Sequence, residues 1–302
     1  MIMKLKTLDF DVVIVGCGIA GMTSAIYLKR SNLNVCMIEK NAPGGQLNMI
    51  NEINNYPGFE SIDGPTLAFN VFNQIKKLEI PYKYANALEI IDNIEYKTIK
   101  TDKEEITCKN VVIATGRRPR ELGLQNEKRL LGKGISYCSI CDGTLYKDKV
   151  VAVVGGGNSA IESALYLAEI CQKVYLIHRT ESYRAEYTLM DSIKEKENIE
   201  LIKNAKITEL KEKDDKLSSV IINDGKEIKC NGLFINVGNV PIPIKCKNLK
   251  LEENYIVVDN KMESNIEGIY ACGDIIKKDV YQITTAISEG TIAAINIIKK
   301  FN

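Results

Sequence analysis

Two thiols three residues apart, Cys138-Ser139-Ile140-Cys141, are followed directly by an acid, Asp142. Thiols at this spacing can close a small disulfide ring, and a neighbouring carboxyl can move the protons that thiol–disulfide exchange requires. The pair is therefore read as a two-electron redox couple, with Asp142 as general acid/base. A buried thiol pair without chemistry is the plainer alternative. A structural zinc site would need a second pair of ligands nearby, and the one histidine, His178, is committed elsewhere, so no metal is expected. The other seven cysteines, at 17, 36, 108, 171, 230, 246 and 272, are scattered. Cys17, Cys36, Cys171 and Cys272 lie inside apolar runs and read as small core residues.

Two glycine-rich loops carry a second kind of chemistry. The apolar stretch 10–15 runs into Gly16-Cys17-Gly18-Ile19-Ala20-Gly21, then a helical pattern, an apolar stretch at 35–38 and Glu39. The stretch 150–154 runs into Gly155-Gly156-Gly157-Asn158-Ser159-Ala160, then a helical pattern, an apolar stretch at 174–177 and His178-Arg179. Glycines at this spacing permit a tight turn and let a pyrophosphate approach the backbone at a helix N-terminus. In both units the first glycine stands 23 residues before the residue that closes the second strand. In the first unit that residue is an acid, suited to ribose hydroxyls. In the second it belongs to a basic group, His178, Arg179 and Arg184, suited to a 2′-phosphate and hence to NADP rather than NAD. The plainer alternative for the second group is a set of solvated surface cations. Two nucleotide sites with different ends, beside a thiol pair, predict a path for electrons.

The elements that must position these groups follow from the same patterns. At 302 residues the chain suits about two domains of roughly 150 residues each, long enough to bury real cores. Forty basic and thirty-nine acidic residues give a net charge of +1. No basic field points to nucleic acid or a membrane surface as partner. Lys4, Lys6 and the apolar run at 12–28 loosely mimic a signal peptide, but Asp9, Asp11 and the regularly spaced glycines make it a first Rossmann strand. An odd, scattered cysteine count fits a reducing cytoplasm.

Residues 1–116 read as strand, helix, strand, a loop at 42–57, a helix near 66–78 and short strands, closing with 111–113 and Ala114-Thr115-Gly116. Polar stretches at 117–120 and 238–241 are natural crossing points. Between them lie the thiol pair, the second glycine loop and strands near 201–202, 220–222 and 233–237, with a turn at Asn223-Asp224-Gly225. The final helix, near 284–299, has too little chain around it for its own core. The expected architecture is α/β, with two Rossmann-like nucleotide-binding domains of three-layer ββα type, the second inserted in the first. The domains are expected at 1–116 with 247–302, and at 117–246.

Together these motifs resemble the low-molecular-weight thioredoxin reductases over essentially the whole chain. The resemblance rests on GCGIAG at 16–21, GGQL at 44–47, YPG at 56–58, ATG at 114–116, YCSICDG at 137–143, GGGNSAIESALYL at 155–167, HRTESYRAE at 178–186 and YACGDI at 270–275. It implies a cytoplasmic homodimer that passes electrons from NADPH through FAD and the Cys138–Cys141 disulfide to thioredoxin or a thioredoxin-like protein. FAD would be held by Gly16, Gly18, Ala20, Gly21, Glu39, Lys40, Gly45, Gln46, Leu47, Asn55, Ala114, Thr115, Gly116, Gly273, Asp274, Tyr281, Gln282 and Ile283. NADPH would be held by Gly155, Gly157, Asn158, Ser159, Ala160, His178, Arg179 and Arg184. Asp274 would face the ribityl or pyrophosphate stretch. Cys141 would be the sulfur nearest the flavin and Cys138 the one that attacks the partner. In this family the inserted domain swivels, and hinges belong near 117–120 and 238–241.

Three departures stand out. The family's phosphate clamp reads His-Arg-Arg, and here it is His178-Arg179-Thr180, which predicts a weakened preference for NADPH. The family's Arg-Gln before the last helix is here Tyr281-Gln282, and no role follows for the ring. After the thiols the family is often Phe-rich, whereas here Thr144-Leu145-Tyr146 alters the expected docking surface. Two other readings stay open. One is the same fold with another donor or acceptor, as in a ferredoxin-dependent or NADH-dependent thioredoxin or peroxiredoxin reductase. The other is a non-catalytic flavoprotein.

Overall fold

A computed structural model of the protein describes residues 7–50, 52–223 and 225–301. Lys4 and Lys6 of the leader-like start, and Asp224 of the expected turn, lie outside the described residues. The chain divides into two compact units, 1–118 with 241–302, and 119–240. Six α-helices are present among the described residues: α1 (Ile19–Arg30), α2 (Gly64–Lys77), α3 (Ser139–Asp142), α4 (Asn158–Ala168), α5 (Tyr187–Lys194) and α6 (Ile283–Phe301).

The first unit is built on an eight-stranded sheet. Its parallel centre is Tyr82–Tyr84, Val35–Glu39, Phe10–Val15 and Glu105–Ile113, with Ile269–Ala271 also pairing the last of these. Strand Phe10–Val15 is covered on both faces, and its side chains alternate between two cores. Val12 and Ile14 pack with Leu28 of α1 and Ala293 and Ile297 of α6. Val13 and Val15 pack with Ile99, Ile106 and Ile113 on the antiparallel side. α2 starts where the Asp63 side chain accepts the Thr66 N–H and proline follows at 65.

The second unit repeats this plan. A five-stranded parallel sheet runs Ile199–Ile202, Lys173–Ile177, Val150–Gly155, Gly232–Asn236 and Ile135–Ser136, beside a three-stranded antiparallel sheet. Val151 and Val153 pack with Ile161, Ala164 and Leu167 of α4. Ala152 and Val154 pack with Leu210 and Val220 of the antiparallel strands. Each unit therefore has helices on one face of its parallel strands and antiparallel strands on the other; those of the first unit belong to its eight-stranded sheet, and those of the second form a sheet of their own.

The connecting segments are themselves strands, Arg117–Pro119 and Asn239–Pro241, and they pair with each other. The return into the first unit begins earlier than the expected residue 247. Ile244 is already in that unit's core, and Lys245–Cys246 pair in register with Glu89 and Ile90. No helix among the described residues is long and apolar enough to cross a membrane.

Candidate active site

In the first unit the expected nucleotide residues gather at the C-terminal ends of the parallel strands, where open α/β sheets bind ligands. The three loop glycines have three distinct jobs. A Cβ on Gly16 would sit 2.3 Å from the Ala114 carbonyl oxygen, so this turn presses on the Ala114-Thr115-Gly116 segment. A Cβ on Gly21 would sit 2.2 Å from the Gly16 carbonyl oxygen, so the helix starts hard against the strand. A Cβ on Gly18 would meet nothing within 4 Å, which leaves the α1 N-terminus open to a ligand. Gly18 is the α1 N-cap, and no side chain caps the helix there. Its first N–H groups and the positive end of its dipole are suited to a phosphate.

Glu39 closes this site in a fixed pose. Its Oε2 accepts the Cys17 N–H at 3.1 Å, and its Oε1 accepts those of Lys40 and Asn41 at 2.8 and 2.9 Å. Burial, together with the Glu39 charge, pushes the Cys17 thiol well up, so it stays protonated and inert. Gly44 bridges to Gly18, and Gly45 begins a short 3-10 helix, Gly45–Met49. Leu47 points into a satellite core with Ile53, Leu67 and Ala68. It shapes the loop and presents no side chain at the surface. Ala20 is buried on α1, close to both Gly273 and Gly290.

Asp274 is the hub of a polar cluster. Its Oδ2 accepts Gln46 Nε2 at 3.0 Å, Arg117 Nε at 3.1 Å and Arg117 Nη2 at 2.8 Å. Lys278 Nζ stands 3.7 Å from its Oδ1 and donates to both Glu289 oxygens at 2.9 and 2.8 Å. Glu289 in turn accepts the Gly273 N–H at 2.9 Å. Burial pushes the Glu289 carboxyl up, and Lys278 pulls the other way. Asn55 Nδ2 donates to Gln282 Oε1 at 3.4 Å, beside the start of α6 at Ile283. Tyr281 lies under the Arg117 guanidinium. Arg117, Lys278 and Glu289 escaped the sequence reading. The i,i+4 spacing of Asp274 and Lys278 hinted at a pair, but no local signal links Arg117 to a carboxylate 157 residues away.

The second unit makes the same cradle with different walls. A Cβ on Gly155 would sit 2.2 Å from the Asn236 carbonyl oxygen and 2.7 Å from Ala160 Cβ, while one on Gly157 would meet nothing within 4 Å. Asn158 and Ser159 open α4, where Asn158 exchanges two hydrogen bonds with Glu186, at 2.8 and 3.0 Å. Arg179 and Arg184 are exposed, and the Arg184 N–H is tied to the Gly156 carbonyl at 2.7 Å.

His178 behaves differently from its expected role. It is only 6% exposed, and a Cβ on Gly156 would fall 2.1 Å from its ring. Its Nε2 lies 2.8 Å from Thr180 Oγ1 and 3.1 Å from the Ser182 carbonyl oxygen, and the ring stacks on Tyr183 at 4.8 Å. The ring is a floor for the glycine loop. Thr180 is turned onto that ring and stands at the position where the resembled family carries a second arginine.

The thiols occur as a disulfide, Cys138–Cys141, in the single turn of α3. Cys138 is half-buried and Cys141 exposed. Cys138 is held by Ser136, whose Oγ accepts the Cys138 N–H at 2.9 Å and donates to its carbonyl at 3.1 Å. Ser139 Oγ donates to Ser163 Oγ on α4 at 3.1 Å, so the redox turn is fastened to the helix of the second glycine loop. Tyr137 donates to buried Glu127 at 2.7 Å, and Glu127 also collects the N–H groups of Leu122, Gly123 and Leu124. Half-buried Asp142 closes the turn next to Cys141. Ser136, Ser163 and Glu127 carried no motif that would have revealed them.

Comparison with known proteins adds an independent line. The profile of the pyridine nucleotide-disulphide oxidoreductase family matches residues 10–290. A thioredoxin reductase of Bacillus subtilis is 40% identical over 292 residues, 94% of this chain and 92% of that protein. The crystal structure of Lactococcus lactis thioredoxin reductase matches with a TM-score of 0.91 at 37% identity, over 96% of this chain and 98% of that one. The T. acidophilum thioredoxin reductase structure matches with a TM-score of 0.90 at 34% identity, over 98% and 99%.

Proposed function

The chain belongs to the pyridine nucleotide-disulphide oxidoreductases, in their thioredoxin reductase branch, and from that premise we propose how its residues share the work. Residues 1–118 with 241–302 hold FAD, and residues 119–240 hold NADPH and present the redox disulfide. The observation that carries this reading is the disulfide itself, closed in a turn that Ser139 and Ser163 pin to the helix of a nucleotide loop.

The residues fit both nucleotides. Open cradles at Gly18 and Gly157 face helix N-termini without side-chain caps, as a pyrophosphate needs. Glu39 is already oriented by three backbone N–H groups to meet ribose hydroxyls. Arg179 and Arg184 present exposed cations for a 2′-phosphate, on a loop that His178 supports from beneath.

Held by these residues, FAD would supply the hydride-accepting, two-electron chemistry that links NADPH to a disulfide. Opening the Cys138–Cys141 bond with two electrons and two protons yields two thiols, and Asp142 is placed to carry a proton. The Cys138 thiolate then attacks the disulfide of thioredoxin, forming a mixed disulfide and releasing one partner thiolate. Cys141 then attacks the Cys138 sulfur of the mixed disulfide, which re-forms the Cys138–Cys141 bond and expels the second partner thiolate. The functional molecule is proposed to be a homodimer in a reducing cytoplasm, where the seven free cysteines would remain thiols.

The test uses Cys138→Ser and Cys141→Ser. Each variant should lose thioredoxin reduction while keeping NADPH-dependent reduction of an artificial acceptor by the flavin. Thioredoxin turnover surviving in both would sink the assignment.

A further inference from the structure

Arg117 opens the strand Arg117–Pro119 that leaves the first unit, yet its side chain turns back. It forks onto a single oxygen of Asp274, at 3.1 Å through Nε and 2.8 Å through Nη2. Its Cζ also lies 4.0 Å from the centre of the Tyr281 ring, a stacked cation–π contact. Both members of the ion pair are largely covered, each side chain 17% exposed. The second cation of the cluster, Lys278, is engaged mainly by Glu289. Arg117 is thus the principal charge balancing Asp274, and it is clamped between a carboxylate and an aromatic ring.

A carboxylate beside a diphosphate is unfavourable unless a cation accompanies it, more so once a ligand displaces water and the effective dielectric falls. A guanidinium has five N–H donors, and the fork commits two, so Arg117 is equipped to serve more than Asp274. We propose that Arg117, stacked on Tyr281, is a positioning residue of the flavin site. It holds the Asp274 carboxylate in place for the ribityl–pyrophosphate stretch and adds a fixed positive charge that stabilises the reduced cofactor. This gives Tyr281 a role as the platform for the guanidinium. The inference rests on the assignment of FAD to the first unit.

The experiment titrates apoprotein with FAD for the dissociation constant, then measures the flavin midpoint potential of the loaded protein against a redox dye. Arg117→Ala should weaken FAD binding by about tenfold to a hundredfold, the loss of a charge-assisted hydrogen bond. It should also lower the potential, since each tenfold loss in relative affinity for the reduced form is about 30 mV for a two-electron couple. Arg117→Lys, which keeps the charge and loses the fork and the flat stack, should recover the potential more fully than the affinity. Tyr281→Leu should weaken binding, in the direction of Arg117→Ala. A merely structural role would leave the potential unmoved. Wild-type affinity and potential in Arg117→Ala overturn the proposal while the flavin assignment stands. A wild-type apoprotein that takes up no FAD overturns both. If Arg117→Ala does not fold, unchanged affinity in Arg117→Lys and Tyr281→Leu overturns it equally.

Discussion

At the scale of single residues, Thr180 beside the second glycine loop is paired with its neighbour. Thr180 Oγ1 lies 2.8 Å from His178 Nε2. The proposed 2′-phosphate clamp would then have Arg179 and Arg184 as its exposed cations. One charged hydrogen bond fewer is worth about 1.5–3 kcal/mol, or about tenfold to a hundredfold in affinity. Thr180→Arg should therefore raise the ratio of NADPH to NADH in kcat/KM by at least about tenfold, and steady-state kinetics with both donors checks it. The buried thiols make a second residue-scale prediction. Burial pushes Cys36, Cys108 and Cys230 from 9.0 up to about 12. The folded state thus keeps these protons where the unfolded state has lost them. The associated stability is intact below pH 9.0 and is lost as pH rises toward about 12, at about 1.4 kcal/mol per pH unit per thiol. Denaturant titrations across this window should show the decline, and Cys230→Ala should make it shallower.

At the scale of elements, the two units repeat one device: a parallel strand with both faces covered, then a glycine turn, then a helix. The turn works because small residues bring backbones together. The same principle joins α1 and α6, where a Cβ on Gly290 would fall 2.3 Å from the Ala20 carbonyl oxygen. Gly290→Ala must push the helices apart at the place where α1 leaves the first glycine loop. It should cost about 1–3 kcal/mol as an overpacking defect. A lower melting temperature, with weaker FAD retention on gel filtration, is the expected outcome. A melting temperature at the wild-type value would show that α6 can shift freely. The redox turn is a different kind of element. α3 spans only Ser139–Asp142, too short to be stable alone, and is held by the hydrogen bonds of Ser136 and Ser139.

At the scale of the whole molecule, each hydrophobic core is drawn from a single unit. The clusters around Ile14, Ile113 and Leu47 use residues of the first unit alone. Those around Val220 and Leu167 use residues of the second alone. A unit with its own core and its own sheet is expected to fold by itself. Residues 119–240 expressed alone should unfold cooperatively, bind NADPH without FAD, and form the Cys138–Cys141 disulfide. Circular dichroism melts with and without NADPH test this, and a fragment without a cooperative transition would show that the cores depend on the rest of the chain.

Much of this was legible from local pattern. The strand–glycine–helix units and the thiol pair were readable because glycine geometry, period-two burial and ring closure depend on residues a few positions apart. Sequence alone therefore determined the α/β class, the two nucleotide loops and the redox centre. Contacts across long separations had no such signal. Arg117 reaches Asp274 across 157 residues, and only folding brings the two together. The same is true of Tyr281, whose ring acquires a use only when a guanidinium lands on it. His178 stands at the expected place in the motif, but whether its ring faced a ligand or the core depended on the space that Gly156 leaves above it. The end of the inserted unit likewise fell at 240 because Ile244 and Cys246 find partners in the first unit's core and sheet. Residue types and spacing specify which chemistry is available; the packing of distant side chains decides which atoms are free to perform it.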